Sequence, residues 1–467
     1  MTLSRTTLTW SILAGTLLGV GYAASPLAIW FGVWTAWLFW WSARGLGDRE
    51  RRAVWFVLGA ALAVRVLPIA IQFLSVNTHQ TTSFFFDGDG VYLKQRALAI
   101  RNVWLGVPLP PSGSLSFENV FYPGYGWTSY LYVLAYVQYL LGPAPYGVHL
   151  INVALFMTAV VMLYRIVRSS YGGIVAIAGL VLVCFLPTLI AWSASALKES
   201  IYLFLGALAV TATIRLVRDR YLLERLLASL VLAASLAAIS TIRQGGLLIA
   251  ATGVAAGLVA TAVVRKPSAL VAAIVMVIIV GAAILQRPSV RAGLAGQVQL
   301  AAYRHQGNVI TEGHAYKLLE PRFYVAQTID QMTPLEGLRF VVRALVAFVV
   351  VPLPWDAQSR TELAFLPQQT IWLVMVAFAG IGFFSGLARD PLVTLLLACT
   401  SAVAAGVIAL NSGNVGTMVR FRDTMMPFVA WLSALGGITF LRWVTARAWS
   451  TAPAGGPQFG GAVAESS

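Results

Sequence analysis

The sequence predicts an all-α, polytopic membrane protein. Two observations carry this: of 467 residues 59% are apolar and only 10% charged, and the apolar residues come in long continuous runs. A soluble domain carries about 25% charged residues, so a water-soluble fold of this length lacks the charge to cover its surface. The mean hydropathy of +0.79 excludes a disordered chain. A transmembrane β-barrel would read as alternating segments of about 10 residues. Here the runs are rich in Leu, Ala and Val and suit helices, which need about 20 apolar residues to cross.

The elements follow in order. Residues 6–43 carry no charge and break at Ser25-Pro26, which predicts a helical hairpin. The run Thr6 to Ser25 lacks a cleavage site and meets a second run at once, so it does not read as a signal peptide. Arg44, Arg49, Arg51 and Arg52 close this N-terminal module, 1–52. A larger transmembrane module, 53–286, begins with a span at 53–74. Residues 75–121, polar and rich in Gly, Pro and Asn, form its first long outer loop. Further spans are expected at 124–141, 148–167, 172–192, 200–218, 226–242, 245–264 and 267–286. A polar amphipathic stretch covers 287–337. Four C-terminal spans lie within 338–448, at 338–354, 369–387, 391–410 and 425–443. The Gly/Ala/Pro/Ser-rich tail, 449–467, is expected to be disordered. About 12–14 crossings result.

The net charge of +15, from 32 Lys and Arg against 17 Asp and Glu, reports orientation rather than nucleic-acid binding, because cytoplasmic loops collect basic residues. Arg5, the 44–52 cluster, Arg215 to Arg225, Arg265-Lys266, Arg389, Arg442 and Arg447 are therefore expected in the cytoplasm with both termini. Residues 75–121 and 411–424 are expected outside. Strict alternation from 75–121 nevertheless puts Arg165 and Arg168 outside and Ala196–Ser200 inside. Either a candidate span does not cross fully or a loop is re-entrant. Cys184 and Cys399 lie in apolar runs and build neither a disulfide framework nor a zinc site. His79, His149, His305 and His314 show no metal-ligand spacing. The 287–337 stretch reads either as an outer flap over a substrate or as a solvated interfacial helix. The stripe Trp30, Trp34, Trp37 and Trp41 reads as an interfacial or lipid-facing surface rather than a carbohydrate platform. Arg65, inside an apolar run, reads as snorkelling to the outer interface rather than buried.

Charges away from the cytoplasmic face are few, so each is informative. Phe84-Phe85-Phe86-Asp87-Gly88-Asp89-Gly90-Val91-Tyr92 sets two carboxylates beside a membrane segment, where one can act as a general base or the pair can hold a divalent cation. The remaining oxygen ligands of a calcium-binding EF-hand are missing. Lys198-Glu199 interrupts two apolar runs beyond Pro187. Arg243 lies at the opposite helix end from Arg225 and is placed to bind an anion, as are Arg420 and Arg422. The planar guanidinium fork suits phosphate.

The order of these features resembles the GT-C superfamily of membrane glycosyltransferases, in the bacterial branch similar to protein O-mannosyltransferases and lipid A aminoarabinose transferases. The resemblance rests on the acidic pair Asp87 and Asp89 followed by Tyr92, on Tyr122-Pro123, on Leu140-Leu141-Gly142, on Pro187 leading to Glu199, and on Arg243; it covers about residues 53–265. Three features depart from it. Two extra helices precede the acidic loop, the acids are spaced Asp-x-Asp, and Gly124 stands where a second Pro is usual. The resemblance implies a GT-C-like architecture with long outer loops. It also implies an inverting transferase in the bacterial inner membrane, working at the outer face on a polyprenyl-phosphate-linked sugar donor and a glycan, lipid or protein acceptor. Membrane lipid surrounds it, and no nucleic acid is involved. Asp87 or Asp89 would be the catalytic base, and Tyr92, Lys198, Glu199, Arg243, Arg420 and Arg422 would bind substrate. No cofactor is required, with a divalent metal left open at Asp87/Asp89. The run Gly416-Thr417…Arg420-Phe421-Arg422…Pro427 looks like one in polysaccharide-polymerase-like membrane proteins, which makes a polymerase the alternative. A lipid-linked-sugar or solute transporter is the third reading.

Overall fold

A computed structural model describes residues 5–75, 88–111, 113, 115–122, 128–144, 146–264, 275, 276, 279, 283, 286–311, 316–325, 328–356 and 360–450. Its regular elements are helices. Among the described residues eight are long and apolar enough to cross a membrane, and a bent helix pair makes a ninth. The all-α, polytopic membrane class therefore holds.

The helices share two ends of very different chemistry. At one end α2 (Pro26–Ala43) finishes and α3 (Asp48–Ser75) begins. There α7 (Gly147–Tyr171) delivers Arg165 to the carbonyls of Trp41 and Arg44, at 2.8 and 3.1 Å. Arg168 grips Glu50 with two bonds of 2.6 and 2.8 Å. The same end holds Arg218, which closes α10 (Glu199–Arg218) and pairs with Asp390 before α17 (Pro391–Asn411). Gly172, at φ 95°, lets the chain reverse from α7 into α8 (Gly173–Phe185) in a single residue. The arginines of 44–52, 165–168, 215–225 and 389 thus lie at one end, called here the basic end.

This arrangement removes the conflict between alternation and charge. Among the described residues the segment expected to cross at 124–141 forms α6 (Tyr130–Leu141), 12 residues, or about 18 Å of helix against a hydrocarbon core of about 30 Å. That helix is too short to cross. Instead Tyr130, Leu131 and Leu134 pack on Leu93, Ala97 and Ile100 of α4 (Gly88–Trp104), with Ala196 and Leu197 in the same buried cluster. With one crossing removed, Arg165 and Arg168 join the other arginines, and the 195–198 turn falls at the far end. The loop expected over 75–121 therefore contains helix as well, including α5 (Phe117–Phe121).

Other segments also differ from expectation. The span at 172–192 is bent by 62° between α8 and α9 (Pro187–Ala194), because Pro187 removes a helix donor and clashes with the preceding turn. The span at 338–354 is instead α15 (Pro334–Val350), a 17-residue amphipathic helix. It buries Phe340, Ala344 and Phe348 on one face, and the reciprocal Thr333–Glu336 pair caps its start. Most of 267–286, and all of 451–467, lie outside the described residues.

Arg65 does not snorkel. It is fully buried in α3, with Nε donating to Ser193 Oγ at 2.7 Å, Nη1 donating to the Ala61 carbonyl at 3.0 Å, and its guanidinium 4.6 Å from the Phe156 ring centroid. The tryptophan stripe of α2 divides. Trp34 donates to Thr158 on α7 at 3.1 Å and Trp41 lies under Arg165, while Trp30 and Trp37 remain exposed.

Close packing uses small residues. In α12 (Gly246–Val264), Gly253 and Gly257 form a G-x-x-x-G face against α17. A Cβ there would stand 2.8 Å from the Thr400 Cα and 3.0 Å from the Leu396 Cα. Such backbone proximity drives helix association in lipid, where hydrophobic burial does not. Gly253→Leu is expected to destabilise the protein by about 1–3 kcal/mol, measured by unfolding in mixed micelles. A variant as stable as the parent shows that α12 and α17 need no close approach.

Candidate functional site

The far end of the bundle gathers the polar residues. Its central element is α9, turned aside by Pro187 so that it leads into a tight turn before α10. The first N–H groups of a helix lack internal partners. Here the Thr188 N–H donates to Gln368 Oε1 at 2.8 Å. The turn after α9 is pinned from α7. Asn152 Nδ2 donates to the Ser195 and Leu197 carbonyls at 2.6 and 2.7 Å, while the Tyr130 hydroxyl donates to Asn152 Oδ1 at 2.9 Å. His149 Nδ1 bonds the Ala194 carbonyl at 2.7 Å.

This turn sets Lys198 at the N-cap of α10 and Glu199 in its first turn, where the helix dipole favours a carboxylate. Glu199 is 7% exposed. Its Oε1 accepts from Arg420 Nε at 2.8 Å, and its Oε2 has no hydrogen-bond partner. Arg420 belongs to α18 (Val415–Arg422), whose start is capped by the Asn414 side chain bonding the Gly416 and Thr417 N–H groups. The Arg420 guanidinium also lies 5.8 Å from the Trp192 ring centroid.

Arg243 ends α11 (Leu222–Ile242), and Gly245, at φ 77°, completes the reversal into α12. The Arg243 guanidinium rests 4.1 Å from the Phe421 ring centroid and 5.5 Å from that of Tyr202. Among the described residues no carboxylate pairs with it. Burial pulls its pKa below the ordinary guanidinium value, and the Glu199 charge opposes that shift. It lines a cleft of about 380 Å³ together with Tyr202, Phe421, Thr424, Arg304 and Asn411. A cation held on aromatic faces without a carboxylate in ion-pair contact is chemically able to receive an anion.

The structure thus brings Glu199, Arg243 and Arg420 together. Arg422 points elsewhere: 1% exposed, it donates to Gln369 Oε1 at 2.6 Å and to the Val351 carbonyl at 2.8 Å, between the rings of Phe348 and Trp372. That is a packing role away from the cleft. Tyr92 lies on α4 beneath the Arg96 guanidinium, 5.1 Å from it. Asp87 lies outside the described residues. Asp89 falls in the first turn of α4, and its side chain is also outside the description. The next residue, Gly90, packs against Ala196, where a Cβ would sit 3.2 Å from that of Ala196. The start of α4 therefore adjoins the turn that carries Lys198 and Glu199. No group of three His, Cys, Asp or Glu able to hold a metal occurs among the described residues. The divalent-metal possibility at Asp87/Asp89 lies outside them.

Sequence reasoning passed over Asp423. Its carboxylate, 3% exposed, accepts from Thr188 Oγ1 and Trp192 Nε1, both at 2.6 Å, and from Gln368 Nε2 at 3.3 Å. Burial pushes its pKa up to about 7 against the opposing effect of the Thr188 and Trp192 hydrogen bonds. The carboxylate ties α9 to the junction between α18 and α19 (Met426–Ser450). Two sequence signals point toward it. Thr188 and Trp192 are spaced i, i+4 on one helix face, and Gln368-Gln369 is an amide pair inside an apolar run, which requires polar partners.

The described part of the polar stretch 287–337 packs against the bundle. α13 (Pro288–Thr311) buries His305, whose ring bonds the Ser412 carbonyl and the Tyr324 hydroxyl, each at 3.1 Å. Burial lowers the His305 pKa, which favours the neutral ring. His305 is therefore a packing residue. No family model matches the chain, and no curated protein or solved structure is significantly similar to it.

Proposed function

We propose that the protein is a membrane glycosyltransferase that moves a sugar from a polyprenyl-phosphate donor to a glycan, lipid or protein acceptor at the outer face of a bacterial inner membrane. The observation that carries the reading is Arg243, an unpaired cation on an aromatic platform, in a cleft beside the Glu199–Arg420 pair and at the end of the bundle opposite the arginine-rich end. The reading takes the end that carries Arg44–Arg52, Arg165–Arg168 and Arg215–Arg225 as cytoplasmic, following the positive-inside rule, and the cleft as external.

In the proposed reaction Asp87 or Asp89 takes the proton of the acceptor hydroxyl, and the oxygen attacks the anomeric carbon. The bond from that carbon to the phosphate oxygen breaks, and the lipid phosphate leaves with one more negative charge. Arg243 and Arg420 meet that charge as it grows. Glu199 holds the Arg420 fork in place, and Lys198 lies next to it. No step requires a metal.

The test is the purified protein in nanodiscs with a panel of polyprenyl-phosphate sugars, reading free lipid phosphate. Release is expected with one sugar, and the Asp87→Asn/Asp89→Asn double variant is expected to lose it. Full transfer by the double variant would exclude the base assignment. A polysaccharide polymerase is the second reading, favoured by Phe421 of the C-terminal run, which lines the cleft beneath Arg243. In a glycan-length assay a polymerase would respond to arginine substitutions and tolerate the aspartate ones.

A further inference from the structure

Two side chains of α7 join the outer helices to the turn that carries Glu199. His149 and Asn152 are spaced i, i+3 and share one face of the helix. Both are buried, 2% and 0% exposed. Each has one end on the turn and the other on the layer formed by α4 and α6. Lys94 of α4 sets its Nζ 3.3 Å from His149 Nε2. An ammonium only donates, so Nε2 accepts and the ring proton sits on Nδ1. The Ala194 carbonyl, 2.7 Å from Nδ1, only accepts, so both bonds call for the same neutral tautomer. Asn152 works in parallel: its Nδ2 donates to the Ser195 and Leu197 carbonyls, and its Oδ1 accepts from the Tyr130 hydroxyl of α6.

The same layer is tied to the turn that presents Arg243. Where α6 begins, Thr128 Oγ1 donates to the Ile242 carbonyl at 2.7 Å, and the Ser129 N–H donates to the Thr241 carbonyl at 3.0 Å. α4 and α6 pack together through Leu93, Ala97, Tyr130 and Leu134. The first turn of α4 contains Asp89. One layer therefore links an acid of the Asp-x-Asp pair to the turns that present Glu199 and Arg243. Directional bonds hold register where apolar packing alone lets helices slide. Sugar transfer needs such a fixed separation between base and leaving group.

We infer that His149 and Asn152 are positioning residues: through Lys94 and Tyr130 they hold the acid-bearing start of α4 in register with the turn that presents Glu199. This rests on the reading of the site as a transferase whose base is Asp87 or Asp89, and it adds the device that sets the distance between base and leaving group.

The test cuts both links from the outer side, with Lys94→Met and Tyr130→Phe in one chain, and leaves the bonds from α7 to the turn in place. Register is read through Gly90→Cys/Ala196→Cys in a background of Cys184→Ala and Cys399→Ala. A Cβ on Gly90 would stand 3.2 Å from that of Ala196, near the separation a disulfide spans. In nanodiscs the cysteine pair is expected to close on mild oxidation, and to close more slowly with Lys94→Met/Tyr130→Phe. Without the cysteines, Lys94→Met/Tyr130→Phe is expected to lower kcat by about 10–10²-fold. The donor KM is expected to stay within about twofold, because Arg243 and Arg420 are untouched. The closed disulfide is expected to return kcat to the level of the same disulfide in the parent chain. An unfolding midpoint in mixed micelles near that of the parent shows that the variant is folded. Lys94→Met alone, at a half-buried side chain, is the milder variant and carries the same expectations. Closure as fast as in the parent overturns the inference, as does an unchanged kcat. A kcat that the disulfide leaves low also overturns it and puts Lys94 or Tyr130 on the substrate. Closure needs no turnover, so slowed closure in a protein that transfers no sugar counts against the transferase reading alone.

Discussion

Arg243→Gln is expected to lower kcat/KM for sugar transfer by about 10²–10³-fold, the usual consequence of removing one donor to a charge that develops in the transition state. The donor phosphate already carries charge before reaction and gains more as the sugar leaves. Part of the loss therefore falls on KM and the larger part on kcat. The side chain is well placed for this effect. It is desolvated between Phe421 and Tyr202, and among the described residues no carboxylate is in ion-pair contact with it, the nearby Glu199 being paired with Arg420. Arg243→Lys keeps the charge but loses the planar fork and its stacking, so a smaller loss is expected. Steady-state kinetics with the donor found in the nanodisc screen provide the measurement. An Arg243→Gln enzyme with unchanged kcat/KM removes Arg243 from the reaction.

Asp423→Ala is expected to produce the largest loss of stability, on the order of 3–5 kcal/mol, because it leaves buried donors on Thr188 and Trp192 unpartnered and removes one of the acceptors of Gln368. Asp423→Asn keeps one acceptor oxygen and turns an amide donor toward the other partner, so it is expected to fall between the two. The consequence extends to the cleft. Trp192 is the ring beneath Arg420, and α9 leads directly into the turn that presents Glu199. Loss of the Asp423 anchor is therefore expected to loosen the Glu199–Arg420 pair without touching either residue. Unfolding in mixed micelles measures the first effect, and Trp192 emission in a background of the other tryptophans replaced by Phe measures the second. An Asp423→Ala protein as stable as the parent shows that the carboxylate does not hold α9.

Much of the site was legible because charge is so rare here. Glu199, Arg243 and Arg420 stand out in the sequence as isolated ionisable residues beyond apolar runs, and they converge. Arg422 stands out equally and does not join them. Two residues along a helix at about 100° each is more than half a turn, so Arg420 and Arg422 face different neighbours. Nothing local distinguishes the side that faces a cleft from the side that faces Gln369 and Trp372. Arg304 escaped notice for the opposite reason. It lies in a polar stretch where an arginine is unremarkable, and only the docking of α13 through His305 and Gly413 places it at the cleft.

The sequence by itself determined that this is a helical membrane protein and which few charges stand isolated beyond its apolar runs. These are local and additive properties, set by composition and by the cost of placing polar groups in lipid. The tertiary structure decided which segments cross and which turn back, and which arginine meets which carboxylate. Glu199 and Arg420 are 221 residues apart in the chain, and the short α6 packs on α4. Contacts of that range depend on how whole helices meet, and no run of neighbouring residues contains that information.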